Sequence, residues 1–247
     1  MGGVAVTEKD LWAMQAGDHI LHARNGALQK VVVHKSRLPL DPKGHVQILG
    51  LVQAPDRTIY AVQKSIVSKS IDGGKTWKHA KVNDAGSRWV INADGRFVHI
   101  RQHSENDLPA VFASDDEGQI WDQIGQIDVS PRKAIGAGHS MRVLKDGTLM
   151  APIQIADAPF GEGETDPTSE GKNTLYIFRS EDGGRSFLAR AVMGDWCSYE
   201  TNIAQLPSGS LLAVIRYGLN PEHPELRKHV FLSNSTDGAS PGPTCAN

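Results

Sequence analysis

The chain has 247 residues, is 39% hydrophobic and 22% charged, and carries a formal net charge of −2. That length holds one large domain or two small ones with a sizeable core. The near-neutral balance leaves no electrostatic footprint for nucleic acid or an anionic membrane surface.

The two cysteines, Cys197 and Cys245, cannot build a disulfide framework, and no Cys/His spacing suits a metal. The opening stretch "MGGVAVTEKDLWAMQAGDH" has no apolar run behind a basic start. No run of ~20 apolar residues occurs elsewhere, so neither a signal peptide nor a membrane segment is expected, and cytoplasmic is the default. Short apolar runs such as "KVVVHK", "TLYIFRS" and "LLAVIR" lack helical period and predict strands.

In chain order, a degenerate turn signal comes first, "HARNGALQ" at 22–29, followed by a loop at 35–45 that contains Arg37. A polar turn at "APDRTIYAV" (54–62) then precedes an apolar strand, and "SIDGGKTW" (70–77) follows. This pair of turns recurs. "NADGRFVHI" (92–100) precedes "SDDEGQIW" (114–121), and "LKDGTLMAPI" (144–153) precedes "SEDGGRSF" (180–187). "LPSGSLLAVI" (206–215) precedes "STDG" (235–238), which breaks at Ala239 into a Pro-rich tail. The second member at 70–77 fits Ser-x-Asp-x-Gly-x-Thr-Trp; 114–121 fits with Ile for Thr, 180–187 with Ser and Phe at the end, and 235–238 only begins a copy. The Asp of this pattern can accept hydrogen bonds from turn amides, its Gly supplies a positive φ, and its aromatic covers the turn.

Each unit therefore reads strand, tight turn, strand, variable loop, strand, box turn, strand. That is a four-stranded antiparallel meander, the blade of a β-propeller. The two stereotyped turns share one face of the blade, and the loops of variable length share the other, where binding residues usually sit. The loop face offers Arg37, Arg88, Asp107, Arg132, His139 and Glu200, with Arg216 closing the strand that enters the loop at 217–229. Arg grips a carboxylate bidentately, and a carboxyl group can serve glycoside chemistry.

The boxes resemble the Asp boxes, or BNR repeats, of the sialidase superfamily. The resemblance spans about residues 35–238. It implies an all-β fold, a six-bladed propeller of sialidase type, here incomplete at four to five blades. It implies one domain over 1–240, with 241–247 outside it. The stretch "CSYETNIAQLPSGSLLAVIR" (197–216) matches the family segment in which a Glu heads one strand and an Arg ends the next. By that resemblance Glu200 is the base partner of a Tyr nucleophile. Arg216 belongs to the Arg triad that binds a sialic acid carboxylate, as does Arg37 in "RLP", a near match to Arg-Ile-Pro. The implied activity is a retaining glycosidase for terminal sialic acid or a related acidic sugar, needing no cofactor or metal. The alternative is a non-catalytic BNR-repeat propeller that binds glycans or proteins. The third triad Arg and the Tyr nucleophile are not identifiable. The expectation is a piece of a longer protein, impaired as an enzyme and prone to self-association through open blade edges.

Overall fold

The computed structural model describes residues 4–6, 10–14, 19–24, 27–32, 50–62, 65–82, 89–102, 107–130, 133–136, 140–156, 173–195, 197–217 and 230–235. These residues contain twenty strands and no helix. The chain divides into two compact units, Met1–Ala85 and Gly86–Asn247.

The first unit holds two antiparallel meanders. One runs β1 (Val4–Val6), β2 (Asp10–Met14), β3 (His19–Arg24), β4 (Ala27–Val32). The other runs β5 (Gly50–Gln53), β6 (Ile59–Val62), β7 (Ile66–Ser70), β8 (Lys78–Lys81). Tyr60, Ala61, Val62 and Val67 of the middle strands are buried, whereas all of β8 is exposed. Apolar residues fill the inner strands and lysines mark the outer edge, which discourages a further strand from adding there.

The second unit holds three sheets. β9 (Val90–Ile91), β10 (Phe97–Arg101), β11 (Ala110–Ser114) and β12 (Asp122–Gln126) form the first. In the second, β13 (Lys133–Gly136) and β14 (Arg142–Val143) both pair with β15 (Leu149–Ala156), and β16 (Asn173–Ser180) and β17 (Leu188–Asp195) follow. The third is β18 (Cys197–Gln205), β19 (Leu211–Tyr217) and β20 (Val230–Ser235). Residues 133–136, expected within a loop, are thus strand, and β13 and β14 act as one interrupted first strand.

Strand alternation explains how the sheets stack. In β15, Leu149, Ala151, Ile153 and Ile155 share a core with Val98, Ile100, Val111 and Ala113 of the sheet before. Met150, on the opposite face of β15, joins Leu175, Ile177 and Met193 against Ile203, Leu211, Ala213 and Ile215 of the sheet after. A strand buried on both faces reads as a nearly continuous apolar run, which is why "LMAPIQIA" shows no alternation. Meanders stacked face to face in chain order are the blades of a propeller, incomplete here.

The tight turns share one design. In each, the first amide bonds to the carbonyl of the fifth residue and the fourth amide to the carbonyl of the first. This holds at Ala54–Thr58, Asn92–Arg96, Leu144–Thr148 and Leu206–Ser210 by number. The fourth position takes a positive φ: Gly95 (80°), Gly147 (85°), Gly209 (92°) and, without a glycine, Arg57 (71°). Asp56 and Asp146 accept from the amides of Thr58 and Thr148, as their turn role requires. At 92–96 that acceptor is Asn92, whose Oδ1 takes the amides of both Asp94 and Arg96. The degenerate signal at 22–29 falls between β3 and β4, where the other blades carry a box. Its register pairs Arg24 with Ala27, leaving two residues for the turn and no space for a box.

Candidate functional site

The pairings Ile59 with Ser70, Phe97 with Ser114 and Leu149 with Ser180 set each tight turn beside the start of a box turn. Both turn families therefore lie at one end of each blade, and the variable loops at the other.

At the turn end the hydrogen bonding of the box Asp residues is local. Asp72 Oδ1 accepts from the amides of Lys75 (3.0 Å) and Thr76 (2.9 Å) and from the Ser70 hydroxyl (2.9 Å), and its Oδ2 accepts from the Thr76 hydroxyl at 2.6 Å. Ser70 Oγ in turn accepts from the Gly74 amide, and the Trp77 indole donates to the Gly74 carbonyl. The Asp116 and Asp182 boxes repeat the bonds of the Ser, the Asp and the turn amides. The indole bond does not recur, because Trp121 Nε1 is buried without a hydrogen-bond partner and residue 187 is Phe. These bonds favour the carboxylate. The Thr76 hydroxyl and amide, then Ser70 and Lys75, hold Asp72 at about 2. At Asp182 burial pushes upward, but Ser186, Ser180 and Arg185 outweigh it and leave the carboxyl at about 2.

The boxes also pack between blades. A Cβ on Gly125 of β12 would lie 2.4 Å from the Arg185 carbonyl oxygen in the next blade's box. Gly184 sits 3.3–3.4 Å (measured from its ideal Cβ) from Leu149, Val111 and Ile124. A box carboxylate whose lone pairs are taken by its own turn has little capacity left for a ligand. A cleft of about 500 Å³ does lie at this end, lined by residues including Asp94, Asp146, Arg179, Glu181, Asp182 and Arg185. Within it Arg179 lies 3.8 Å from Asp146, and Arg185 donates to the Asp182 backbone carbonyl.

The loop end brings Glu200 and Arg216 together. β18 pairs Thr201 with Ile215 and Cys197 with Tyr217, so residues 198–200 span the stretch opposite Arg216 alone. Glu200 and Arg216 thus adjoin across neighbouring strands at a bulge, directly beyond Thr201 and Ile215, which are buried. Bulges of this kind re-aim side chains and are frequent beside active sites. The pairing with β15 is interrupted likewise between Gly136 with Gln154 and Arg142 with Met150.

Asp107 is exposed between β10 and β11 at the same end. Arg37, Arg88, Arg132 and His139, and with them His103, lie outside the described residues. Two residues at this end escaped the sequence reading, Gln102 and Gln154. With Arg216 they stand at one position of three successive blades, each seven residues past the turn glycine (95 to 102, 147 to 154, 209 to 216). Counting from that glycine would have found them. Gln102 donates to the carbonyls of Ala134 (2.5 Å) and Asp107 (3.3 Å), tying its blade's loop to the first strand of the next. Gln154 is buried.

Among the described residues, no group of three or more His, Cys, Asp or Glu could hold a metal. No helix there is long and apolar enough to cross a membrane.

No family model matches the chain, and no curated protein matches its sequence. Solved structures do match. A bifunctional GH43-CE protein of Bacteroides eggerthii aligns at 12% identity with a TM-score of 0.57, covering 98% of this chain and 34% of its own. A Hadza microbial sialidase aligns at 15% identity with a TM-score of 0.52, covering 95% of this chain and 53% of its own. The Penicillium chrysogenum alpha-L-arabinanase aligns at 15% identity with a TM-score of 0.48, covering 76% and 62%. The chain therefore spans about half the length of the sialidase it matches and about a third of the GH43-CE protein. At such identities the likeness is one of fold, and the fold is the β-propeller.

Proposed function

We propose that this chain is part of a glycan-acting propeller, a glycosidase of the sialidase kind that takes terminal sialic acid or a related acidic sugar at the loop end of β18 and β19. One observation supports the reading: between the pairs Cys197 with Tyr217 and Thr201 with Ile215, residues 198–200 of β18 lie across from Arg216 of β19, at the blade end remote from the box turns. The glycosidase names of the sialidase and the GH43-CE protein agree with it. In this reading 1–240 is one propeller domain, and Arg37, Arg88, Arg132, His139 and Asp107 complete the rim of the sugar site.

The chemistry follows from the residue types. Arg216 binds the sugar carboxylate through two parallel N–H···O bonds. Glu200 serves as base to a Tyr nucleophile, which is neutral and so does not repel the bound carboxylate. Attack forms a glycosyl-enzyme bond and water later breaks it, retaining the anomeric configuration. No metal takes part.

The test is hydrolysis of an aryl sialoside by the protein containing this chain. Glu200→Gln should lower kcat by roughly 10²–10⁴-fold. Arg216→Ala should raise KM for the sialoside and leave a neutral aryl glycoside unaffected. Equal rates for wild type and Glu200→Gln would remove Glu200 from the mechanism. Glycan binding without turnover would favour the non-catalytic propeller.

A further inference from the structure

We propose that Arg142 is a positioning residue for the bulge at 198–200. Its guanidinium reaches from β14 of one blade, fixes β18 of the next beside that bulge and so sets where Glu200 stands, a role in catalysis that rests on Glu200 being the base proposed above. Arg142 Nε donates to the Ile203 carbonyl at 2.8 Å, and Arg142 Nη2 donates to Asn202 Oδ1 at 3.2 Å. Nε–H and one Nη2–H leave a guanidinium side by side in one plane, so a single rigid group holds two successive residues of β18. Nη1 donates to the Met141 carbonyl at 3.1 Å, which ties the same plane back to its own strand. The donor is charged, so each bond is stronger than one between neutral groups.

The place of Arg142 in the two ladders gives it this task. Arg142 pairs with Met150, where pairing with β15 resumes after Gly136 with Gln154. Thr201 pairs with Ile215, where pairing with β19 resumes after Cys197 with Tyr217, and Asn202 and Ile203 are the next two rungs. One side chain thus links the points at which two neighbouring first strands regain their register. Residues 198–200 have no rung of their own, so their position depends on how firmly 201–203 is held.

Lys145 provides the comparison. It joins the same two blades at the turn end, its Nζ donating to the Pro207 carbonyl at 2.8 Å and its amide to Gln205 Oε1 at 2.7 Å. These bonds tie blade to blade as those of Arg142 do, but they reach β18 and its turn away from the bulge. A tether that serves only stability would act alike at either place. A tether that aims the bulge acts only from Arg142.

Hydrogen exchange and aryl sialoside hydrolysis, both on the protein containing this chain, test this together. Arg142→Met should speed amide exchange at 198–203 by roughly tenfold or more. It should lower kcat by roughly 10–100-fold and leave KM within about twofold, because Arg216 still holds the substrate. Arg142→Lys keeps the charge without the planar fork and should recover only part of each loss. If Arg142→Met does not fold, Arg142→Lys carries the same readouts. Lys145→Met should leave exchange at 198–203 and kcat as in wild type. Unchanged exchange at 198–203 in the Arg142 variants, the same acceleration in Lys145→Met, or full kcat in the Arg142 variants beside an impaired Glu200→Gln would each overturn the proposal. If wild type shows no turnover, or Glu200→Gln keeps all of it, the glycosidase reading falls, and exchange alone decides whether Arg142 holds the bulge.

Discussion

Gly118 and Trp89 meet so closely that a Cβ on the glycine would lie 2.3 Å from Cη2 of the indole. Gly118 also holds φ at 90°. Trp89 in turn stacks edge-on against Trp121 at 4.9 Å and packs on Phe97 at 5.3 Å. One box glycine is therefore the floor on which a buried aromatic cluster rests. Gly118→Ala must displace the indole as well as accept a left-handed backbone. It should cost about 2–4 kcal/mol. Gly73, one position earlier in its own box and also at a positive φ (76°), has nothing within 4 Å of its ideal Cβ and isolates the backbone part. Gly73→Ala should cost only about 1–2 kcal/mol. Urea melts of the two variants check the difference.

Gly125 tests whether boxes hold blades together. Its ideal Cβ falls 2.4 Å from a backbone oxygen, which cannot rotate away as a side chain can. Gly125→Ala should therefore push β12 off the neighbouring box and destabilise the second unit by about 2–4 kcal/mol. Hydrogen exchange should show faster opening of β12 and of the turn at 180–187. Unchanged exchange there would deny the boxes a role between blades.

Among the described tight turns, Arg57 occupies the one without a glycine at its fourth position, at φ 71°. Relief of left-handed strain by Arg57→Gly is offset in part by the greater freedom of glycine in the unfolded chain. The net expectation is a gain of about 0.5–1 kcal/mol, read as a rise in the denaturant midpoint at constant slope. Arg57→Val, β-branched at the same φ, should move the midpoint the other way.

The box carboxylates predict an acid limb of stability. Asp72 and Asp182 titrate at about 2 in the folded chain against an ordinary 3.8. A lowered folded pKa stabilises the fold above the unfolded value, and the contribution is lost as pH falls through the folded one. Asp56, Asp116, Asp128 and Asp146 are lowered too, through backbone hydrogen bonds, so they act in the same direction. Stability should fall between roughly pH 4 and pH 2. Asp182→Asn should flatten that slope while retaining an acceptor for the Arg185 amide. A slope unchanged in this variant would mean the box carboxylate is not what titrates.

The repeated boxes and tight turns were legible in the residue order because the bonds that form them close within five residues. The bonds of Ser70, Asp72, Gly74 and Thr76 run among themselves and to Lys75 and Trp77 beside them. The strand alternation that follows each turn then tells which residues share a face, and so the meander. The loop end was legible only as a list. That Glu200 adjoins Arg216 depends on two residues of slack in the β18–β19 ladder, a register shift between segments joined by a distant turn. The contact of Gly118 with Trp89 within one blade and the approach of Gly125 to Arg185 between two are likewise outcomes of packing. They are settled by which surfaces meet in the folded chain, and local turn chemistry holds no record of that.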